Sequence, residues 1–350
     1  MKGMLYRRIV LLTFLLGHGL DGRAWDYAGH RLVNQIALAS LPTNFPAFTR
    51  TRAARERIAF LAGEPDRWRN TPDLPLKHCN GPDHYIDIED LALAGLDLKA
   101  LSPFRYEFAA QWAAARARHA ASFPPIDPAR NEDRTREWVG FLPWTITEYH
   151  AKLKSAFSYL KILEELGTRE EIANAQDNVL YLMGVMGHFV GDASQPLHTT
   201  RHFNGWAGPN PQQYATHTSF HAWVDGGYIQ KIGLRLEEML PRVRPARALV
   251  MAGPAAKAEG AFPVVMAYLL DQYKLVEPLY QLDKAGALSD DGGPGSKGRL
   301  FMTQQLLAAG GMLGDLWYSA WQQAPPDNYL RGQLLKRNAA LTNGVRTVRP

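Results

Sequence analysis

Residues 170–198 read Glu170-Glu-Ile-Ala-Asn-Ala-Gln-Asp-Asn-Val-Leu-Tyr-Leu-Met-Gly-Val-Met-Gly-His188-Phe-Val-Gly-Asp192-Ala-Ser-Gln195-Pro196-Leu-His198. Ile172, Ala175, Val179, Leu182 and Met186 recur at steps of three and four, which predicts an amphipathic helix over 170–191. His188 and Asp192 are four residues apart, so they face the same way on it. Pro196 ends or kinks that helix, and His198 follows on another piece of backbone. The same periodicity holds over 146–166, through Ile146, Tyr149, Leu153, Phe157, Leu160 and Leu163. It recurs over 27–40, beside His30, and over 106–120, which is rich in Ala and Arg. Residues 260–280 and 297–322 read as two further long helices. Alternating strand patterns are scarce, so the expected fold class is all-α.

Breaks fall at Pro124, Pro125 and Pro128, at Asn204 to Pro211, and across the Gly-rich stretch 286–298. No repeat is evident. These loops are short enough to lie within one unit, so a single helical domain over 25–325 is expected, with 326–350 as a C-terminal tail. The first residues read as a targeting segment. Lys2, Arg7 and Arg8 precede the apolar run Ile9 to Leu16, and Gly22 and Ala24 occupy small-residue cleavage positions. The apolar run is too short to span a bilayer. With 1–24 removed as a signal peptide, the chain begins at Trp25 and is exported to periplasm or medium.

The 350 residues are 46% hydrophobic, enough for a sizeable core. Loss of Lys2, Arg7, Arg8, Arg23 and Asp21 lowers the formal charge from +5 to +2. A charge that small does not by itself argue for nucleic-acid binding. Cys79 is the one cysteine, which excludes an intramolecular disulfide. An exported chain without disulfides needs another staple, and bound metal is one.

Metal-ligand chemistry is written in three pieces. His188 and Asp192, with His198 beyond Pro196, form the first. His221-Ala-Trp-Val-Asp225 repeats the His and Asp four residues apart. Imidazole nitrogen and carboxylate oxygen are both donors that zinc accepts. Each pair alone also suits a surface helix pair or a buried hydrogen bond. Trp25-Asp-Tyr-Ala-Gly-His30 is the third piece. A free α-amine and its own carbonyl chelate a metal through a five-membered ring, and His30 adds an imidazole. Asp66-Arg-Trp-Arg69 and His84-Tyr-Ile-Asp87 supply further carboxylates, an imidazole and a guanidinium.

This set resembles the secreted trinuclear-zinc single-strand nucleases of the mung bean nuclease type, which share a superfamily with bacterial zinc phospholipases C. The resemblance rests on Trp-x4-His, Asp-x2-Arg, His-Tyr-Ile-Asp-Ile-Glu-Asp, His-Phe-Val-Gly-Asp-x2-Gln-Pro-Leu-His and His-x3-Asp, between Trp25 and Asp225. It implies the helical fold of that superfamily and three zinc ions per chain. Asp66, His84 and His188 would hold one. The Trp25 amine and carbonyl with His30 would hold a second, and Asp192 would bridge the two. His198, His221 and Asp225 would hold the third. Asp87 would orient the attacking water and Arg69 would stabilise the transition state. The implied activity is hydrolysis of single-stranded DNA or RNA to 5′-phosphorylated products, with 3′-nucleotidase action open. Elementary chemistry agrees, because zinc ions sharing a carboxylate bring the ionisation of a shared water towards neutral pH. No stable protein partner is implied, and a monomer is expected.

The chain departs from the family in places. The stretch between His84 and His188 is long, so residues around 100–145 are expected to be an insertion near the cleft. His202-Phe-Asn204-Gly-Trp206-Ala-Gly208 stands in place of a Gly-Gly-Asn motif, and Gly226 and Gly227 follow Asp225 where a base-reading Asn is common. A zinc phospholipase C is the first rival reading. It is disfavoured by the short Trp25 to His30 spacing, by Asp rather than Glu at 225, and by the His198 to His221 gap. A helical binding protein that kept zinc only for stability is the second, and the presence of Asp87 and Arg69 speaks against it. Trp144, Trp206, Tyr214 and Trp223 are read as core before base-stacking surfaces. His202 and His217 are read as exposed loop residues, His78 and His150 have no role, and Cys79 is read as a structural thiol.

Overall fold

Among the described residues the chain folds into helices with no strand, as one domain. The computed structural model describes residues 27–251 and 260–346, with side chains as far as 341. Its first half contains α1 (Tyr27–Ser40), α2 (Arg52–Leu61), α3 (Glu64–Arg69), α4 (Leu74–Asn80), α5 (Ile88–Leu93), α6 (Arg105–Arg118), α7 (Leu142–Leu166) and α8 (Arg169–Ser194). The second half adds the short α9 (Phe220–Ala222), α10 (Tyr228–Ile232) and α11 (Leu236–Met239), then α12 (Phe262–Tyr273), α13 (Val276–Lys284), α14 (Lys297–Gln322) and α15 (Asn328–Arg346).

The central helix, α8, starts at a capping box. The Thr168 hydroxyl accepts from Glu171 N at 3.2 Å, and the Glu171 carboxylate accepts from Thr168 N at 2.8 Å. It runs to Ser194, three residues past the periodic segment, and stops two residues before Pro196. Its C-terminal half, from Met183 to Ser194, is buried throughout. Helices α1, α2, α7 and α14 pack around it. Gly187 makes the closest of these contacts. A Cβ there would lie 1.6 Å from Asn34 Oδ1, so only glycine lets α1 approach. The Asn34 amide donates to Ile58 O at 2.8 Å and to Gly184 O at 3.0 Å, tying α1, α2 and α8 together four residues before His188.

The helix expected over 260–280 is in fact two. Pro278 explains the break: its ring has no N–H and clashes with the carbonyl four residues back, at Lys274. The chain turns at Lys274 and Leu275 and restarts at Val276. Residues 328–346, set apart as a tail, form α15, which lies on α7, with Arg337 paired to Glu171.

Residues 105–141 fold as a buttressed wall. Trp112 Nε1 donates to Glu137 O at 2.8 Å, and the Phe108 ring stacks on Trp144 at 3.8 Å. This wall meets the His84 segment backbone to backbone. Asp87 N donates to Val139 O at 2.8 Å and Phe141 N to Pro82 O at 2.7 Å. Gly140 has φ +101°, and a Cβ there would sit 2.0 Å from Tyr85 O. No helix among the described residues is long and apolar enough to cross a membrane.

Candidate metal centre and cleft

Six segments deliver the donors, His30 coming from the first turn of α1. Pro65 opens the single turn of α3 and places Asp66 and Arg69 three residues apart, with Arg69 Nε 3.0 Å from Asp66 Oδ1. The buried turn Gly81–His84 delivers His84, and the last turns of α8 deliver His188 and Asp192. Pro196 opens a second turn, Pro196–Thr199, carrying His198. Helix α9 passes into a wider, π-type turn at Trp223–Gly227, so His221 and Asp225 face the same point.

Three groups of ligand atoms converge: His30, His188 and Asp192; Asp66, His84 and His188; His198, His221 and Asp225. Within each group the donor atoms lie within 4.8 Å of one another, and seven of these eight residues are fully buried. His84 Nδ1 lies 3.0 Å from His188 Nε2 and 2.9 Å from Asp192 Oδ2, with Asp66 Oδ1 at 4.0 Å. In the third group His221 Nε2 lies 3.1 Å from His198 Nε2 and 2.5 Å from Asp225 Oδ2. Asp192 faces two ways, Oδ2 towards His84 and His188, and Oδ1 towards His30 Nε2 at 3.5 Å. Trp25 lies outside the described residues.

Two imidazole nitrogens meeting at 3 Å beside a carboxylate are the donor set of a cation site. Ligands about 2.0–2.1 Å from one tetrahedral zinc lie about 3.3 Å apart, which the separations here bracket. Second contacts fix the tautomers. His188 Nδ1 donates to Ala62 O at 2.7 Å and His198 Nδ1 to His84 O at 2.6 Å, so each Nε2 keeps its lone pair for the cluster. Neither nitrogen of His30 has a hydrogen-bond partner among the described residues, and Asp192 Oδ1 is likewise buried without a hydrogen bond, while Asp66 Oδ1 and Asp225 Oδ2, also buried, have charged contacts with Arg69 and His221 but no hydrogen bond. Such orphaned acceptors are costly unless a cation or water meets them. These buried His and Asp groups can hold metal ions.

The electrostatics of the metal-free chain agree. Burial, reinforced by His188, pushes His30 down to about 3, and burial with the Arg69 guanidinium pushes His84 down to about 4. Both imidazoles therefore stay neutral, the form that binds metal. Burial opposes charge on Asp192, yet His188 and His198 hold it well below the carboxylate range. Burial opposes charge on His188 and His198 too, but Asp192 raises both.

The third group opens into a cleft of about 590 Å³, where His198 and His221 meet Arg69, Asp87 and Asp90. Asp87 Oδ1 has no hydrogen-bond partner among the described residues. Burial first, then Asp90 and Glu89, raise its carboxyl well above the usual range. Glu89 holds the loop beyond His198, accepting from the Thr200 hydroxyl at 2.5 Å and Arg201 N at 3.0 Å.

Other residues fall variously. Trp144 is wholly buried and Tyr214 nearly so, while Trp223 is half-buried and donates to Leu288 O at 3.0 Å. His202 is not an exposed loop residue: it stacks on Trp206 at 4.1 Å and lies 3.9 Å from Glu89. His217 and His78 are exposed, and His150 is buried in α7. Cys79 is exposed and joins no ligand group. Sequence reading missed Gln195 as a partner of the cluster. Its amide donates to Asp225 and its Oε1 accepts from Leu197 N, although Gln195 stood in the motif itself. No protein-family model matches the chain, and no curated protein matches its sequence.

Proposed function

We propose that the protein is a zinc-dependent phosphodiesterase that hydrolyses single-stranded DNA or RNA to 5′-phosphorylated products. The observation that carries this reading is the convergence of eight His and Asp residues, seven of them buried, at a cleft also lined by Arg69 and Asp87. A purely stabilising metal cluster has no need of a guanidinium and a carboxylate facing a cleft. Three zinc ions, held by the three groups with the Trp25 amine completing the His30 group, fit this donor set. When bound, they supply an ionisable water and neutralise phosphoryl charge.

The chain's own residues do the rest. Arg69, oriented by Asp66, pairs with the phosphoryl oxygens and meets the charge that grows on them as the bond breaks. Asp87 accepts a hydrogen bond from the attacking group and fixes its line of approach. Positive charge bound nearby brings its raised carboxyl back towards the ionised form. Residues 1–24 act as an export signal in the same reading, and the mature chain works as a monomer.

The test uses zinc-loaded protein on single-stranded DNA, RNA and phosphatidylcholine. Chelator-sensitive cleavage of a nucleic acid to ends bearing 5′-phosphate is expected. Lipid cleavage without nucleic-acid cleavage would overturn the assignment.

A further inference from the structure

A second cavity, of about 540 Å³, adjoins the cleft on the wall formed by residues 105–141. Trp112, Arg116, Pro124 and Trp138 line both spaces, so the two are neighbours across these side chains. Beyond that boundary the cavity is apolar, faced by Phe123, Pro125 and Ile126 and floored by Ala113 and Ala117 of α6. Its one acid, Glu137, accepts from Asn131 Nδ2 through Oε1 at 2.9 Å, with Arg134 at 3.8 Å from the same oxygen, while its Oε2 is buried without a hydrogen bond among the described residues.

Arg116 stands at the junction. Its guanidinium lies over the Phe123 ring at 5.1 Å, and among the described residues it forms no ion pair. Arg136, exposed on the same wall, keeps its place by donating to Arg130 O at 2.6 Å and likewise forms no ion pair. An apolar cavity whose mouth carries guanidinium groups outside any ion pair matches one chemistry well. That chemistry is an anionic phosphate bearing a planar ring. An acyl chain would fill the slot but leave the guanidinium at its mouth without a partner.

We propose that this wall is a second substrate subsite, which takes the nucleotide adjoining the one cleaved: Arg116 and Arg136 receive its phosphate, and the slot between Trp138 and Phe123 receives its base. The inference rests on the phosphodiesterase reading and adds to it that the substrate is held by a second phosphate and base beyond the scissile diester. Rates on single nucleotides and other small monoesters or diesters then gain nothing from the wall.

Zinc-loaded full-length protein with Arg116→Gln, and separately with Ala113→Phe, tests this on three probes. These are an eight-residue oligothymidylate, bis(4-nitrophenyl) phosphate and a short-chain phosphatidylcholine. Ala113 is exposed, so the added ring fills the slot without entering the core. Each substitution is expected to raise KM for the oligonucleotide about tenfold with kcat little changed. The preference for oligonucleotide over the small diester should fall by the same factor. If both variants cleave the oligonucleotide with wild-type KM, the subsite is refuted while the phosphodiesterase stands. Lipid cleavage that depends on the slot would assign it to an acyl chain and refute the proposal. Failure of the wild type on all three probes would refute the parent reading, and this subsite with it.

Discussion

Replacing Gln195 by Met tests whether the third ligand group is a tuned metal site. Gln195 is 1% exposed. Its amide donates to Asp225 Oδ1, and its Oε1 accepts from Leu197 N at 3.1 Å, on the turn that carries His198. It therefore holds two of the three ligands of one group. Met keeps the length and volume but neither bond. A hydrogen bond to a charged acceptor contributes about 1.5–3 kcal/mol, and its loss leaves a buried carboxylate oxygen unpartnered. Each 1.36 kcal/mol is about tenfold in affinity, so zinc affinity at this group should fall roughly 10- to 100-fold. The Gln195 side chain makes no hydrogen bond to the other two groups, and its backbone bond to Asp192 O survives the substitution, so those groups should be unaffected. Titration of metal-free protein with zinc against a chromophoric competitor resolves this: one binding step weakens and the rest hold. Wild-type affinity at every step would refute the claim that Gln195 orients Asp225 for metal.

Gly187→Ala should destabilise the fold by about 2–5 kcal/mol in urea unfolding, because its Cβ collides with Asn34 and displaces two buried hydrogen bonds. His150, buried in α7, is pushed down to about 4 by burial and then Lys154, against an unfolded value of 6.5. Its stabilising share is complete above pH 6.5 and lost as pH falls towards 4. His150→Phe should therefore flatten that acid limb by about 3 kcal/mol, and a limb of unchanged slope would count against it. Asp87→Asn should lower kcat on single-stranded DNA about 100-fold or more while metal content is unchanged.

Much of the fold was legible because helical periodicity is local. The apolar steps of 27–40 give α1 as far as its end at Ser40, and Pro196 marks where α8 must stop. The break inside 260–280 was also written in the sequence, at Pro278, but the apolar pattern on either side outweighed it. Residues of the candidate site were legible as types and spacings: His188 with Asp192, and His221 with Asp225. Their grouping came only through the family resemblance and not from spacing, because it depends on α1, α3, the His84 turn, α8, the His198 turn and the π-type turn meeting in space. Periodicity within one helix carries no information about that. Nor does spacing reveal that His202 leans on Trp206, or that the wall of residues 105–141 opens a slot beside the cleft. Those features come from packing between distant segments, which Gly140 and Gly187 permit by lacking a side chain.

Metal content of the purified, dialysed protein, measured together with its amino-terminal residue, bears most directly on the central claim. The account predicts three zinc ions per chain and a first residue of Trp25. A chain that starts at Trp25 and retains no zinc after equilibration with the metal would contradict it.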